Sequence, residues 1–329
     1  MKVLQMSDRS IKPFAIPMVV LAIIASFWIQ SDAHAQPRPQ RPPMVTGPLP
    51  LPILAALSKR DDTSFYAVQE VSRGTIEQTI YKDVAGNDKR MHVYLPPGYQ
   101  EGKATYPVLY LNHGGGDDDA RWSATDKNGG HAHVILDNLI AAKLAKPMIV
   151  VMPNTRGLAS FKSPKPGEPD ACTREYLECI LPHVEKNYRT RPDRDSRALA
   201  GLSMGGFVVL NTGIPNLDKF SELYVYSSGY INEEDRTAIK ENFAELLNAL
   251  EANKRFNVPL YFAAGETDIA LNNSLKTMSI FNSAGVRTFS VLSDGGHDWA
   301  NWRRYLWQSA QIMFAGSKEI EQSKETVAK

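Results

Sequence analysis

The stretch Arg197-Ala198-Leu199-Ala200-Gly201-Leu202-Ser203-Met204-Gly205-Gly206-Phe207-Val208-Val209-Leu210 decides how the rest of this chain is read. Residues 197–200 form a short apolar run that suits a buried strand, and residues 207–210 continue as an apolar helix. Between them Gly201-Leu202-Ser203-Met204-Gly205 spells G-x-S-x-G. That pattern is common on its own. A strand before it and a helix after it supply the setting for a sharp turn that lifts a serine hydroxyl above a sheet edge. Side chains at positions 201 and 205 would clash in such a turn. The first N–H groups of the helix point to the place where negative charge would develop.

The same alternation extends outward. Residues 75–81 and 90–95 read as strands of a hairpin turning at Gly86-Asn87-Asp88. Apolar runs at 108–112, 148–152, 198–201, 223–226, 260–263 and 288–292 suit buried strands. Helical patterns at 132–143, 174–187, 204–211, 235–253, 274–284 and 299–314 separate most of them. Strand then helix, repeated, predicts an α/β fold: a mostly parallel sheet of about eight strands with helices on both faces.

A serine hydroxyl is a weak nucleophile at neutral pH and needs an adjacent base. His297 stands in Ser293-Asp294-Gly295-Gly296-His297-Asp298-Trp299, between the last strand and the last helix. Sites in open α/β sheets lie at the carboxyl ends of the strands, where this loop falls. The base needs a carboxylate to hold its tautomer and stabilise the imidazolium. Asp268, in Gly265-Glu266-Thr267-Asp268, also follows a strand. Glu266 is the weaker candidate, because two residues along an extended loop it faces elsewhere. Asp298 suits the cap of the final helix. The order Ser203, Asp268, His297 is that of an α/β-hydrolase. An imidazole base predicts activity rising with pH through neutrality.

Asn112-His113-Gly114-Gly115-Gly116 follows the strand at 108–112. A glycine run there lets backbone N–H groups approach a substrate, so Gly115 and Met204 are expected as oxyanion donors. Trp122, Asn154 and Trp299 are candidates for substrate contact, through aromatic stacking or an amide near the mouth. Trp299 could instead pack the last helix, and Asn154 could cap a turn. Asp117-Asp118-Asp119 with His131 and His133 raises a metal alternative, but His-x-His side chains diverge on a strand or a helix. The expectation is a solvated acidic loop, no metal and no cofactor.

With these residues in place, the chain resembles the feruloyl esterase branch of the esterase D-like α/β-hydrolases. The matching stretches include Tyr94-Leu95-Pro96-Pro97-Gly98-Tyr99, Val108-Leu109-Tyr110-Leu111-Asn112-His113-Gly114, Val134-Ile135-Leu136-Asp137-Asn138-Leu139-Ile140, Met152-Pro153-Asn154-Thr155 and Gly296-His297-Asp298-Trp299. The resemblance implies a cofactor-independent serine esterase with Ser203 as nucleophile, Asp268 as acid and His297 as base. It implies substrates of the class of feruloyl or acetyl esters on xylan-type polysaccharides. A siderophore lactone esterase, an acyltransferase and a non-catalytic carbohydrate-binding derivative are the alternatives.

Lys2, Arg9 and Lys12, an apolar run over 13–29 and Ala33-His34-Ala35 form the pattern of an export signal over residues 1–35. Cleavage there removes three basic and two acidic side chains, leaving 34 of each sign (37 − 3 and 36 − 2), with no stable membrane insertion expected. Seven prolines over 37–52 mark residues 36–62 as a Pro-rich linker. The esterase domain is expected over 63–316 and a polar tail over 317–329. The 329 residues are 43% hydrophobic and 22% charged, enough apolar content for a core, which excludes global disorder. Thirty-seven basic against 36 acidic residues give no electrostatic drive toward nucleic acid. Two cysteines exclude a disulfide scaffold. Cys172 and Cys179 are seven residues apart, a helical rise of about 10.5 Å that is too long for a disulfide, so two separate thiols are expected unless Cys172 lies outside the helix.

Overall fold

The computed structural model describes residues 56–244 and 260–315, which belong to one compact unit, Leu49–Lys329. The expected export signal, most of the Pro-rich segment, the second half of the helix read over 235–253 and the polar tail lie outside the described residues.

Eight strands form one sheet: β1 (Thr75–Lys82), β2 (Asp88–Leu95), β3 (Val108–Asn112), β4 (Ile149–Pro153), β5 (Arg197–Leu202), β6 (Glu222–Tyr226), β7 (Leu260–Gly265) and β8 (Thr288–Ser293). Their spatial order is β1-β2-β4-β3-β5-β6-β7-β8. The β1–β2 hairpin and the β2–β4 pair are antiparallel, and every other pair is parallel. This is the sheet the alternation predicts.

Side chains alternate across it with period two. Tyr110, Leu199, Val225 and Phe262 enter one core, and Leu109, Ala200, Tyr224 and Tyr261 enter the other. The first core is covered by α2 (Ala171–Glu175), a π turn (Tyr176–Ile180), α3 (Leu181–Asn187), α4 (Met204–Gly213), α5 (Glu233–Asn242) and α6 (Leu271–Ser283). The second is covered by α1 (Ala132–Ala141) and α7 (Trp299–Ala310). Central strands β3 to β7 are buried at every residue, while β1 and β8 at the edges are not. That is why the central strands read as unbroken apolar runs.

Two helix starts differ from the sequence reading because a capping side chain precedes the apolar pattern. The helix read from 174 begins at Ala171, because the Asp170 carboxylate accepts the Thr173 N–H at 2.7 Å. The helix read from 235 begins at Glu233, capped by Asn232. Cys172 lies within α2 and is buried, and both thiols are free, as the helical rise implies.

β3 sits between β4 and β5, so the chain leaves it first to one side and then to the other. The carboxyl ends of β3 and β5 flank this reversal, the place where open α/β sheets form a ligand crevice. No helix among the described residues is long and apolar enough to cross a membrane.

Candidate active site

Ser203 closes β5 and caps α4 with φ 51° and ψ −115°. A non-glycine residue in that region costs about 1–3 kcal/mol and persists only where its surroundings impose it. Glycines on either side make the turn possible. A Cβ on Gly205 would lie 2.6 Å from the carbonyl oxygens of Asn112 and His113, and one on Gly201 would strike the Gly205 carbonyl. Below the turn, Asn112 accepts from the Tyr176 hydroxyl at 2.7 Å and donates to the Ala200 carbonyl at 3.0 Å.

The loops after β7 and β8 bring the other two residues to this serine. They are stitched together by backbone hydrogen bonds from Glu266 N to Ser293 O (2.8 Å) and from Thr267 N to Gly295 O (3.0 Å). His297 Nε2 lies 3.0 Å from Ser203 Oγ, and His297 Nδ1 lies 2.9 Å from Asp268 Oδ1. Asp268 is buried, whereas Glu266 is exposed, as the loop spacing anticipates. The same Asp268 oxygen accepts the Ala270 N–H at 2.8 Å, and Oδ2 accepts the Ser227 hydroxyl at 2.5 Å. Burial acts to raise the titration of this carboxyl. The donors His297, Ser227 and Ala270 outweigh it and hold the group below its ordinary value. An ionised Asp268 fixes the proton on His297 Nδ1 and leaves Nε2 free to accept the serine proton. Asp298 caps α7 through the Asn301 N–H at 3.2 Å and pairs with Arg60 at 2.5 Å.

The glycine loop after β3 packs against the serine turn. A Cβ on Gly115 would lie 3.0 Å from Met204 Cγ, so the two expected donors are neighbours. His113 holds this loop. Its Nδ1–H donates to Gly114 O at 2.8 Å and its Nε2 accepts the Thr155 N–H at 3.1 Å. Those partners require a neutral ring, and burial lowers its titration accordingly. Arg156 donates to Gly116 O and, at 3.0 Å, to Asp117 O, tying the loop to the end of β4.

The acidic run is paired rather than open. Asp119 is buried against Arg90 at 3.0 Å, and Asp117 lies 3.4 Å from Arg121. Among the described residues no group of three or more His, Cys, Asp or Glu side chains is arranged to hold a metal.

A cavity of about 180 Å³ opens beside Ser203 and His297, walled by Phe161, Phe207, Ser228, Ile231, Ile269 and Ala270. The three residues read as substrate contacts do not line it, and this corrects the sequence reading. Trp122 is 1% exposed and donates from Nε1 to the Asn112 carbonyl at 2.9 Å, so it is core. Trp299 stands edge-to-face on Trp122 and Trp302, with ring centroids 5.1 Å apart in both pairs, and packs the last helix. Asn154 accepts the Arg156 N–H at 3.2 Å and caps a turn. Sequence reasoning missed Phe161, Ile231, Ile269 and Ser227. Ser227 follows the carboxyl end of β6, which places it near the site but does not reveal its partners.

Comparison with known proteins places the chain in a family. Residues 83–312, more than half of the chain, match the Esterase family model. An endo-1,4-beta-xylanase/feruloyl esterase of Xylanibacter ruminicola is 32% identical over 266 residues, covering 77% of this chain and 33% of that protein. The chain thus spans about a third of the length of that relative. A solved ferulic acid esterase is 28% identical with a TM-score of 0.61, over 74% of this chain and 98% of the other. A mutant feruloyl esterase module from Clostridium thermocellum, complexed with sinapinate, shares the fold with a TM-score of 0.64 at 22% identity, over 80% of this chain and 96% of the other. The chain belongs to the Esterase family and has the α/β-hydrolase fold.

Proposed function

We propose that this enzyme hydrolyses feruloyl or acetyl esters linked to xylan-type carbohydrates, through an acyl-enzyme on Ser203. The observation that carries the mechanism is the continuous array from Ser203 through His297 to Asp268, at 3.0 and 2.9 Å. His297 Nε2 takes the Ser203 proton as Oγ attacks the ester carbonyl. The oxyanion rests on the Met204 and Gly115 N–H groups. Collapse of the tetrahedral intermediate breaks the ester C–O bond, and His297 returns the proton to the leaving sugar hydroxyl. Water, activated by the same imidazole, then releases the acid and restores Ser203. Asp268 stays ionised throughout.

The relatives named for feruloyl esterase activity support the substrate class. The cavity favours the aromatic acid within it. Phe161, Phe207, Ile231 and Ile269 offer apolar walls that an acetyl group would leave largely uncovered. Export is part of the same proposal. It rests on the charged start, the apolar run and Ala33-His34-Ala35, which suit an enzyme acting on a polysaccharide outside the cytoplasm. The domain division at 35, 62 and 316 is likewise proposed.

Chromatography of acid released from feruloylated arabinoxylan oligosaccharides tests the proposal, with Ser203→Ala as control. Ferulate release by the wild type alone is expected. Release of acetate from acetylated xylan without any ferulate would remove the aromatic assignment, and an active Ser203→Ala would remove the mechanism. N-terminal sequencing of the exported protein should begin at Gln36.

A further inference from the structure

Ser227 is the first residue after β6, and it enters neither the serine turn nor the loops of the acid and base. Its backbone has φ 49°, in the left-handed region, where glycine would sit without strain. Its N–H donates to Ala263 O at 2.7 Å across to β7. Its hydroxyl lies 2.5 Å from Asp268 Oδ2 and 2.9 Å from the Trp302 indole nitrogen.

Hydrogen-bond accounting fixes the direction of this chain. The indole N–H can only donate, so it occupies a lone pair of Ser227 Oγ. The single hydroxyl proton is left for Asp268. The Asp268 side chain is 0% exposed, so the Ser227 hydroxyl and not bulk water serves its outer oxygen. Oδ1 already serves His297 and Ala270. Trp302 also packs edge-to-face on the His297 ring, centroids 5.0 Å apart, so one side chain braces the base directly and the acid through Ser227.

We infer that Ser227 is a positioning residue: its hydroxyl, oriented by Trp302, holds the outer oxygen of Asp268 and so sets the orientation and proton affinity of the Asp268–His297 pair. This rests on the reading of Ser203, His297 and Asp268 as the catalytic array. The other ionisable groups around the pair are engaged elsewhere. Tyr305 of α7 meets the Ser293 hydroxyl at 2.7 Å, Asp298 pairs with Arg60, and Asp294 pairs with Arg304 at 2.7 Å. Substitution at Ser227 leaves those contacts in place.

Losing the Ser227 donor leaves more negative charge on Asp268 facing His297. That favours the imidazolium, and catalysis needs the neutral ring. The carboxylate, freed of that donor, also holds the imidazole less firmly, so Ser227→Ala should lower kcat about tenfold, with KM held within about twofold, the scale of a hydrogen bond to a charged group. The acid limb of kcat should move to higher pH by several tenths of a unit. Ser227→Gly removes the hydroxyl while relieving the backbone, so it should fold at least as well and be equally slow. Trp302→Phe keeps an aromatic ring and deletes the N–H. It should give a smaller shift in the same direction, and the double variant should lose no more than Ser227→Ala alone.

Steady-state kinetics from pH 5 to 9 on a synthetic aromatic ester, with Ser203→Ala alongside, decide the matter. Wild-type kcat in both Ser227 variants, with Ser203→Ala inactive, overturns the inference and leaves the array standing. A slower Ser227→Gly whose acid limb has not moved assigns a packing role and also overturns it. An active Ser203→Ala overturns the array instead.

Discussion

Two buried carboxylates at opposite edges of the same sheet are treated in opposite ways. Asp268 follows β7 at the carboxyl edge, where His297, Ser227 and Ala270 all donate to it, and it titrates below the ordinary range despite its burial. Glu222 opens β6 at the amino edge, beneath the Tyr224 hydroxyl (2.8 Å) and the Phe314 N–H (3.1 Å). It is 1% exposed, and burial pushes it up to about 7 even though both donors act to lower it. Burial raises both groups, so the difference lies in the donors. A cationic partner can form at His297 beside Asp268, whereas at Glu222 the nearby charge of Lys146 and the two donors together do not offset burial. Negative charge is thus held where chemistry needs it, and is tolerated only weakly where a carboxyl serves to anchor the chain after α7.

The largest expected effect breaks the working carboxylate. Asp268→Asn should lower kcat by about 10³–10⁴-fold, because an amide can hold His297 in the wrong tautomer. Glu266→Gln, exposed on the same loop, should leave turnover within about twofold. Kinetics on an aromatic ester check both, and comparable losses in the two variants would remove Asp268 from its role.

Next comes Glu222. Its folded titration lies above that of an unfolded Glu, so its contribution to stability is fully present at low pH and is lost as pH rises through about 7. Thermal or denaturant unfolding should show Glu222→Gln gaining on the wild type by about 2 kcal/mol between pH 5 and pH 8. The kcat of the variant should be unchanged. Parallel stability curves would mean that Glu222 is ionised at no unusual cost, and the contrast between the two edges would fail.

These residues were not equally visible in the sequence. Ser203 and His297 stand in short glycine-flanked loops at strand ends, where local spacing and strand–helix alternation reveal both the turn and its place on the sheet. Asp268 could be separated from Glu266 by loop direction alone. Ser227 could not be read that way. Its partners lie 41 and 75 positions further along the chain, and no local period records them. Trp122 misled for a related reason. It sits in a polar loop between glycine-rich segments, a composition that suggests a mouth, yet its indole N–H finds a buried carbonyl at the end of β3. The helix starts at Ala171 and Glu233 were hidden by caps whose acceptors precede the apolar pattern.

The cavity beside Ser203 was the least legible part, and it yields the smallest prediction. Phe161 comes from an irregular loop, is 50% exposed, and stands edge-to-face on Phe207 of α4 with centroids 5.0 Å apart. Irregular backbone has no period, so nothing in the sequence around it announces a wall. Removing one aromatic wall should cost about 0.5–1.5 kcal/mol of binding to a ring held against it. Phe161→Ala should then raise KM for a feruloyl ester by roughly three- to tenfold, with kcat little changed, because the ring lies away from the reacting carbonyl. KM for an acetyl ester should barely move. The ratio of the two KM changes is the informative quantity. A variant that weakens both esters equally acts through the shape of the turn at Ser203, and one that weakens neither places the aromatic acid elsewhere on the carboxyl edge.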